Sequence, residues 1–314
     1  MRTFRIERED AGLRLDLALV RLLSTLPGIT RQRAQSWIEE GLVRVNGQAG
    51  AKPTRRLALG DEVEVALPSP PTRPELVPEE MPLAAVYEDD WLLALDKPPG
   101  LLVYPAGTSR EATLMHALLW RAQSWGEGRR PHLVSRLDRG TSGLLLVGKT
   151  PAVHAKLQAG KVEKDYLTVV YGRTASPKGR IDLGIQRSED GRRMTAAIVA
   201  GRPSTTLWEK LSESERAPLS LLRCRLLTGR THQIRVHLQA VGLPIVGDPV
   251  YGEPGWKGIT DPVLFELCRT FPRPALHAWR LAFAHPVTRA PLELTAPVPP
   301  DLAGLAAAAE LTLP

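Results

Sequence analysis

The sequence predicts an α+β fold made of two parts. Apolar runs of strand length outnumber helical patterns, and several follow one another along the chain, which favours a mixed, largely antiparallel sheet over a doubly wound one. Residues 68–82 contain six prolines, cannot form a helix or a central strand, and are expected to be an extended linker. This linker separates a small unit, residues 1–67, from a larger one, residues 83–302, which a tail at residues 303–314 follows.

Composition narrows the class of partner and the cellular setting. The 314 residues carry 41 Lys and Arg against 34 Asp and Glu, a net charge of +7 that favours a polyanionic partner such as nucleic acid. Two widely separated cysteines provide no disulfide framework and indicate a reducing, cytoplasmic setting. No signal peptide pattern is seen and no run approaches 18 apolar residues, so neither secretion nor membrane insertion is expected.

The elements of the small unit are indicated by helical spacing, caps and turns. Leu15, Leu19 and Leu22 mark the apolar face of a first helix. A second helix is predicted to begin after the capping residue Thr30 and to end before Gly41. The segments LVRVNG, which closes on an Asn-Gly turn, and GDEVEVAL are predicted to be short strands.

The predicted elements of the larger unit are mostly strands. The segment WLLALDKPPGLLVYPAG is expected to form a strand, a Pro-Gly turn and a second strand, and LLLVGKT a fully buried strand. Further strands are predicted at DYLTVVYGR, LSLLRCRLLTGR, LHAWRLAFAHP and PLELTAP. THQIRVHLQAVG is expected to be a helix whose core face carries Ile234, Leu238 and Val241. LAGLAAAAELTLP is either a short helix or a frayed tail.

One carboxylate in HLVSRLDRGTSGLLLVGKT stands out by its surroundings. Asp138 lies two residues after Arg136 and directly before Arg139, and a turn and the buried strand follow. Guanidinium neighbours favour the ionised form of an acid, so Asp138 is suited to be a nucleophile or an electrostatic anchor. Taken alone, these residues are also compatible with a structural ion pair at a strand end.

Other chemistries lack their motifs in this sequence. It has no glycine-rich loop for a nucleotide phosphate, no His-Glu-x-x-His pattern and no cluster of acids for two metal ions. A glycosidase would need two opposed carboxylates, and the basic motifs supply Asp138 alone. His232 and His237 are five residues apart, which is not a one-turn spacing, and they are expected to form hydrogen bonds instead of binding a metal.

Residues 13–66 resemble the S4 RNA-binding domain. The two helices, the VRVNG strand and turn, and the later GD pair follow one another in the order of that family. In S4 domains the second helix and the turns after it face RNA. The resemblance therefore implies RNA contacts for Arg14, Arg31, Arg33 and Lys52.

The larger unit is similar to the RluA-type pseudouridine synthases. RLDRGTSGLLLVGKT matches their signature, and LDKPPGLLV, VEKDYLTVVYG, LLTGRTHQIRVHL, GDPVYG and LHAWRLAFAHP occur in family order within residues 84–298. The resemblance implies that Asp138 is the catalytic aspartate and that Arg235 pairs with it. Tyr166 would pack on the target uracil and could accept its C5 proton, because nearby arginines would lower the pKa of the phenol. Arg136 would fill the space left by the flipped nucleotide. Substrate contacts are also expected from Arg139, Lys97, Lys164, Arg230 and His232.

The resemblance implies isomerisation of uridine to pseudouridine in RNA, with large-subunit ribosomal RNA as the expected substrate and transfer RNA as the alternative. Because the product is an isomer, no cofactor and no metal are expected, and the protein is expected to be a cytoplasmic monomer. Ser135 stands where the family commonly has histidine, which alters the local hydrogen bonding. An inactive ribosome-assembly factor and an RNA N-glycosidase are competing functions. The sequence leaves open the target uridine and the atom on which Asp138 acts.

Overall fold

The computed structural model describes residues 1–24, 29–67, 76–105, 111–188, 193–197, 200–252 and 254–314. The chain divides into two compact units, Met1–Glu75 and Leu76–Pro314. Residues 68–75 of the proline-rich segment lie outside the described residues, and residues 76–83 contain neither a helix nor a strand. Each described helix is too short or too polar to cross a membrane.

The first unit combines two helices with a small antiparallel sheet. Its elements are β1 (Arg2–Arg5), α1 (Leu15–Leu22), α2 (Arg31–Glu39), β2 (Val43–Val45) and β3 (Glu62–Val65), and the sheet order is β1-β3-β2. The hydroxyl oxygen of Thr30 accepts a hydrogen bond from the Arg33 amide, which confirms the predicted cap of α2. Asn46 and Gly47 have φ angles of 53° and 76°, as a tight turn between antiparallel strands requires.

The second unit is built on a mixed sheet with helices packed against it, so the α+β prediction is confirmed. In chain order its elements are β4 (Ala84–Glu88), β5 (Leu92–Lys97), α3 (Leu114–Ala122), β6 (His132–Leu133), β7 (Ser142–Gly148), α4 (Pro151–Ala159), β8 (Glu163–Tyr171), β9 (Lys178–Asp182), β10 (Gly184–Arg187), β11 (Met194–Ala197), β12 (Thr205–Glu213), β13 (Leu219–Leu226), α5 (Gln233–Ala240), α6 (Pro262–Thr270), β14 (Leu276–Ala284), β15 (Pro291–Thr295) and α7 (Pro300–Ala308).

The main sheet runs in the order β4-β5-β7-β14-β8-β13-β12-β9, with β15 beside β14 and β6 beside β7. β7 and β14 are parallel, and the other pairings between described strands are antiparallel. A separate hairpin consists of β10 and β11. The predicted mixed, largely antiparallel arrangement is thus confirmed.

Strand β7 is buried on both faces, as its continuous apolar run predicts. Leu145 and Val147 pack into the large core of the unit, while Leu144 and Leu146 pack into a second apolar cluster on the opposite face. A strand covered on both sides needs no polar alternation, so its sequence reads as uniformly apolar. The turn that carries Asp138 therefore leads into a strand that is buried along its full length.

Gly143 allows β14 to pair with β7 beside this turn. Its φ is +109°, and a Cβ atom at this position would lie 2.2 Å from the carbonyl oxygen of Ala278. Ser142 and Gly143 are the residues at which β7 pairs with His277 and Ala278 of β14. A side chain at position 143 would separate the two strands directly behind the Asp138 turn.

Two local predictions are wrong. The expected strand after the Pro-Gly turn is absent from residues 101–104. The carbonyls of Leu102 and Val103 instead accept hydrogen bonds from the first amides of α3, at 2.8 and 3.2 Å, so they cap a helix and cannot pair in a sheet. Val241 is 45% exposed because α5 ends at Ala240, whereas Leu238 is buried as expected.

The end of the chain is the helix α7 and not a frayed tail. Leu302 and Leu305 on this helix, and Leu311 after it, are buried in the large core. The predicted boundary at residues 302 and 303 falls inside the helix. Ala and Leu are strong helix formers, and the buried leucines supply the packing that holds this short helix in place.

Candidate active site around Asp138

An open cavity of about 820 Å³ in the second unit collects most of the predicted site residues. They come from the turn before β7, from β8, and from the start of α5 with the loop that precedes it. The predicted residues that line the cavity are Arg136, Asp138, Arg139, Lys164, Tyr166, Arg230, His232 and Arg235. Asp138 and Arg235, which are 97 positions apart in the sequence, are therefore neighbours here.

The turn that presents Asp138 is held by its backbone. The Thr141 amide donates a hydrogen bond of 3.1 Å to the carbonyl oxygen of Asp138 and closes the turn. The amide of Gly100 donates to the carbonyl of Arg139 at 2.8 Å, and Arg273 donates to the carbonyl of Gly140 at 3.2 Å. The carboxylate thus stands on a fixed loop and is 30% exposed to the cavity.

Lys97 differs from its expected role in substrate contact. Its side chain is fully buried, and Nζ donates to the carbonyls of Pro98, Leu101 and Arg139 at 2.7, 3.0 and 3.3 Å. Burial, together with the charge of Arg273, lowers the pKa of Lys97 to about 8. All three hydrogen bonds of the ammonium group go to backbone carbonyls. Lys97 therefore connects residues 98–101 to the turn that carries Asp138.

Arg235 pairs with Asp138, as the resemblance implies. Its guanidinium donates from Nη1 to Oδ2 of Asp138 at 3.1 Å, and from Nε and Nη2 to the two oxygens of Asp248 at 2.6 and 2.8 Å. The Arg235 side chain is 7% exposed and that of Asp248 is fully buried. The arginine is therefore fixed in orientation by one carboxylate while it holds the other.

Asp248 stays ionised in this buried position. Burial acts to raise the pKa of its carboxyl, but the hydrogen bonds and charge of Arg235 outweigh burial and leave the pKa below its ordinary value. The amides of Val250 and Tyr251 also donate to Oδ1 of Asp248, at 2.9 and 3.1 Å. The carboxylate is thus fully engaged as an anchor.

Tyr166 reaches the cavity from the centre of β8. Its side chain is 7% exposed and packs in the large core, and its hydroxyl has no hydrogen-bond partner among the described residues. Burial and the charge of Asp138 raise the pKa of the phenol. The expectation that arginines would lower this pKa is wrong, because Arg235 is already paired with two carboxylates. The hydroxyl is neutral in the free protein.

The remaining cationic side chains differ in how firmly they are held. Arg139 donates to the carbonyl of Gly100 at 3.0 Å and pairs with Glu111 at 3.2 Å. Arg136 and Arg230 are exposed at the cavity wall. Lys164 has no hydrogen bond or ion pair with a described residue, and burial lowers its pKa. The described part of the chain contains no group of three or more potential metal ligands.

His232 begins α5 in a left-handed conformation, with φ 57°. Its Nδ1 lies 2.9 Å from the hydroxyl oxygen of Tyr251, and its Nε2 lies 3.7 Å from Oδ2 of Asp138. Burial and the charge of Arg235 lower the pKa of the imidazole, although Asp138 acts in the opposite direction. The expectation that His232 and His237 form hydrogen bonds is confirmed, since His237 contacts the hydroxyl of Thr206 at 2.9 Å.

Three residues important to the site received no role from the sequence. Gln233 accepts from the Arg230 amide at 3.0 Å and donates to the carbonyl of Thr205 at 2.9 Å, which fixes the loop before α5. Asp248 and Tyr251 hold Arg235 and His232, as described above. All three lie in the motifs LLTGRTHQIRVHL and GDPVYG quoted above. The sequence clue to their importance was Asp248, an acid with no assigned role in the motif that follows the one carrying Arg235.

In the first unit, two of the four residues expected to contact RNA form ion pairs with a buried aspartate instead. Arg14 and Arg31 each donate to the fully buried Asp16, at 3.0 to 3.1 Å and at 2.9 Å. Burial opposes ionisation of Asp16, but hydrogen bonds from both arginines and from Gln35 lower its pKa to about 2. These arginines hold the N-terminal ends of the two helices together.

The other two expected contacts are freer. The guanidinium carbon of Arg33 lies 5.3 Å from the ring centroid of the buried Trp37, one turn further along α2, in a cation–π arrangement. Lys52 is exposed, in the segment between β2 and β3. Of the four, Arg33 and Lys52 are therefore the two that form no ion pair with a described acid, and they are the better candidates for RNA contact.

Two family models match the chain. The S4 domain matches residues 13–63, and the RNA pseudouridylate synthase family matches residues 91–240. The ribosomal large subunit pseudouridine synthase D of Xanthomonas campestris is 40% identical over 304 residues, which cover 95% of this chain and 89% of that protein. The synthase D of Nitrosomonas europaea is 38% identical over 299 residues, with 94% and 84% covered.

Solved structures show the same fold. Human RNA pseudouridylate synthase domain containing 4 has a TM-score of 0.60 at 21% identity, covering 74% of this chain and 94% of that chain. The human domain containing 1 has a TM-score of 0.55 at 28% identity, with 71% and 87% covered. Taken with the cavity built around Asp138, these similarities show that the chain belongs to the RNA pseudouridylate synthase family of enzymes and carries an S4 domain before its catalytic unit.

Proposed function

We propose that this enzyme converts uridines of large-subunit ribosomal RNA to pseudouridine, with Asp138 as its catalytic aspartate. The observation that carries the proposal is the Asp138 carboxylate, which faces the cavity while Arg235 holds it through one oxygen at 3.1 Å. The name of the relatives that cover most of the chain supports the choice of RNA. We further propose that the protein works in the cytoplasm as a monomer.

The reaction needs a flipped nucleotide, because the atoms that change are hidden in a stacked base. Asp138 acts on the ribose or the base, the N1–C1′ bond breaks, the uracil turns, and C5 bonds to C1′. The C5 proton then leaves and N1 takes up a proton, so the composition is unchanged and no cofactor is required. Lys164, Arg230 and Arg139 line the cavity and would bind the phosphates of the flipped nucleotide and its neighbours, while Arg136 would fill the vacated space.

The substrate is tested by mapping pseudouridines in cells with and without the protein, using carbodiimide-stop sequencing of all stable RNAs. We expect the loss of pseudouridine at one or a few positions of large-subunit ribosomal RNA. Loss confined to transfer RNA would refute the proposed substrate. Unchanged maps would support an assembly factor without activity, and free uracil in the reaction with purified enzyme would indicate an N-glycosidase.

Tyr166→Phe is expected to slow the release of the C5 proton by roughly 10²-fold, which is the usual scale of acid–base catalysis, without loss of RNA affinity. The hydroxyl has no hydrogen-bond partner among the described residues, which leaves it available to contact the substrate. Burial first, and then the charge of Asp138, raise the pKa of the phenol, so the neutral hydroxyl would take the C5 proton only while it passes its own proton on. Single-turnover release of tritium from 5-labelled uridine measures the step.

Tyr166→Ala serves as the comparison, because it also removes the ring. It should weaken binding of the flipped base by about 1–3 kcal/mol, the value of base stacking on an aromatic side chain. If Tyr166→Phe stays within a few-fold of the wild-type rate, the hydroxyl has no part in proton transfer and Tyr166 is a stacking surface.

The double variant Arg33→Ala/Lys52→Ala is expected to weaken RNA binding and to flatten its salt dependence. Each lost phosphate contact should reduce the slope of log affinity against log salt concentration by about 0.7 to 0.9. Arg2→Ala/Arg5→Ala is the matched control, since it removes two exposed arginines from β1. Filter binding over a salt series measures both slopes. A slope for Arg33→Ala/Lys52→Ala equal to that of the wild type would show that Arg33 and Lys52 do not contact RNA.

A further inference from the structure

The two oxygens of the Asp138 carboxylate are in different surroundings. The Nη1 atom of Arg235 lies 3.1 Å from Oδ2, and the Nε2 atom of His232 lies 3.7 Å from the same oxygen. Among the described residues, none donates a hydrogen bond to Oδ1. One oxygen is therefore held by the protein, and the other is free to act on a nucleotide in the cavity.

The hydroxyl of Tyr251 fixes the hydrogen bonding of His232. The amide of Met194, the first residue of β11, donates to this hydroxyl oxygen at 3.0 Å. A tyrosine hydroxyl has a single hydrogen, which is then available for Nδ1 of His232 at 2.9 Å. With the Tyr251 hydrogen on Nδ1, the neutral imidazole carries its proton on Nε2, the nitrogen that faces Asp138.

The protonation of Nε2 decides the sign of its interaction with the carboxylate. At 3.7 Å the contact is electrostatic and longer than a hydrogen bond. An N–H group there presents its positive end to Oδ2, whereas a nitrogen lone pair would repel it. The tautomer of His232 therefore affects how well the ionised carboxylate of Asp138 is stabilised.

The same tyrosine also contacts the second donor. Its ring lies 4.9 Å from the guanidinium carbon of Arg235, and its amide donates to Asp248, which anchors that arginine. The rings of His232 and Tyr251 meet edge to face, with centroids 5.6 Å apart. His232 has a left-handed backbone conformation that few residues other than glycine adopt. Such strain is typical of residues whose side chains must be oriented in a functional site.

We propose that Tyr251 is a positioning residue that holds His232 in its Nε2–H tautomer, so that His232 and Arg235 both bind Oδ2 of Asp138 and leave Oδ1 as the reacting atom. This inference rests on the proposed catalytic role of Asp138. It assigns functions to Tyr251 and His232 that differ from substrate binding, and it identifies which carboxylate oxygen meets the nucleotide.

The groups that face His232 predict how its titration responds to the loss of the Tyr251 hydroxyl. They are Asp138, Arg235, Asp248 and Tyr251 itself. Burial first, and then Arg235, lower the pKa of the imidazole, so it is neutral at pH 7. The Tyr251 hydroxyl donates to the lone pair of Nδ1, which exists in the neutral form only. Tyr251→Phe removes that donor and should raise the pKa of His232.

The tautomer is tested first, by nitrogen NMR of the full chain labelled at its histidine ring nitrogens. His232→Gln identifies the signals of His232 by their loss. In the wild type at pH 7 we expect Nε2 to be protonated and Nδ1 not. In Tyr251→Phe we expect a mixture of tautomers and titration at a higher pH. Tyr171→Phe is the matched control, because it removes a buried hydroxyl that donates to the carbonyl of Cys268 at 3.4 Å, outside the site.

Kinetics provide the second readout. We expect Tyr251→Phe to lower the single-turnover rate about tenfold with RNA affinity unchanged, and to move the acid limb of the pH profile upward. Tyr171→Phe should match the wild type in both. Protonation of Nδ1 in the wild type would overturn the inference, as would a Tyr251→Phe variant with wild-type tautomer, rate and profile. If Asp138→Asn keeps its activity, the proposed catalytic role fails, whereas the tautomer result remains a separate measurement.

Discussion

Asp138→Asn is expected to abolish pseudouridine formation, with a loss of at least about 10⁴-fold, the scale on which removal of an attacking group acts in other enzymes. The amide is close in shape to the carboxylate and can still accept from Arg235, but it lacks the negative charge needed to attack. RNA affinity should stay within severalfold, because the cationic residues of the cavity wall are untouched. Tritium release from RNA labelled at C5 of uridine measures turnover, and filter binding measures affinity.

Asp90→Asn is the control for this change. Asp90 is exposed in the same unit and pairs with Arg129 at 3.2 Å, away from the cavity lining. It should turn over at the wild-type rate. An Asp138→Asn variant that works near that rate would contradict the assignment of Asp138 as the group that acts on the nucleotide.

Asp248→Asn is expected to have the second largest effect, on stability as well as on activity. It leaves the nearly buried guanidinium of Arg235 without its main counter-charge, and breaking a buried pair in this way typically costs about 3–5 kcal/mol of unfolding free energy. Arg235 would also lose the partner that orients it toward Asp138, so turnover should fall by about 10- to 100-fold. Urea unfolding at pH 7 and single-turnover kinetics measure the two effects.

The contribution of Asp248 should depend on pH in a defined direction. Its pKa is lower in the folded protein than in the unfolded chain, where aspartate titrates near about 3.9. The stabilisation is therefore fully present above that pH and is lost as the pH falls toward the folded value. The difference in unfolding free energy between wild type and Asp248→Asn should shrink below pH 4.

Asp182→Asn controls for the loss of a bidentate arginine pair in solvent. Asp182 accepts from Arg180 at 2.5 and 3.0 Å, but both side chains are more than half exposed. It should change stability little, since water screens and replaces such a pair. Equal losses for Asp248→Asn and Asp182→Asn would show that burial of the Arg235 pair is not what makes it important.

The sequence predicted those parts of the fold that local patterns control. The cap at Thr30, the turn at Asn46 and the buried run of β7 depend on residues close together in the chain, and all three are confirmed. The apolar segment Leu101–Tyr104 has the composition of a strand but caps α3, because its carbonyls meet the end of a helix. The composition of a segment shows which secondary structures it can form. It does not show which other part of the chain will pack against it.

The sequence predicted those site residues that belong to motifs shared with a known family. It did not predict properties that depend on tertiary contacts between distant residues. Asp138, Tyr166 and Arg235 meet in the cavity, as the resemblance implies. The burial of Lys97 could not be read from the sequence, because a lysine beside a Pro-Pro-Gly turn is normally exposed. Nor could the raised pKa of Tyr166, which depends on burial of the phenol in the folded protein and on the charge of Asp138.

The side chains that hold the Asp138 turn determine at what stage of folding the site is complete. The turn is held by Lys97 before it, by Arg235 nearly a hundred residues after it, and by Arg273 further on. These contacts have a large sequence separation, so they form late in folding. A chain still on the ribosome that has not exposed residue 273 lacks the fixed carboxylate. The turn that carries Asp138 therefore reaches its final geometry only after the segment around Arg273 has folded against it.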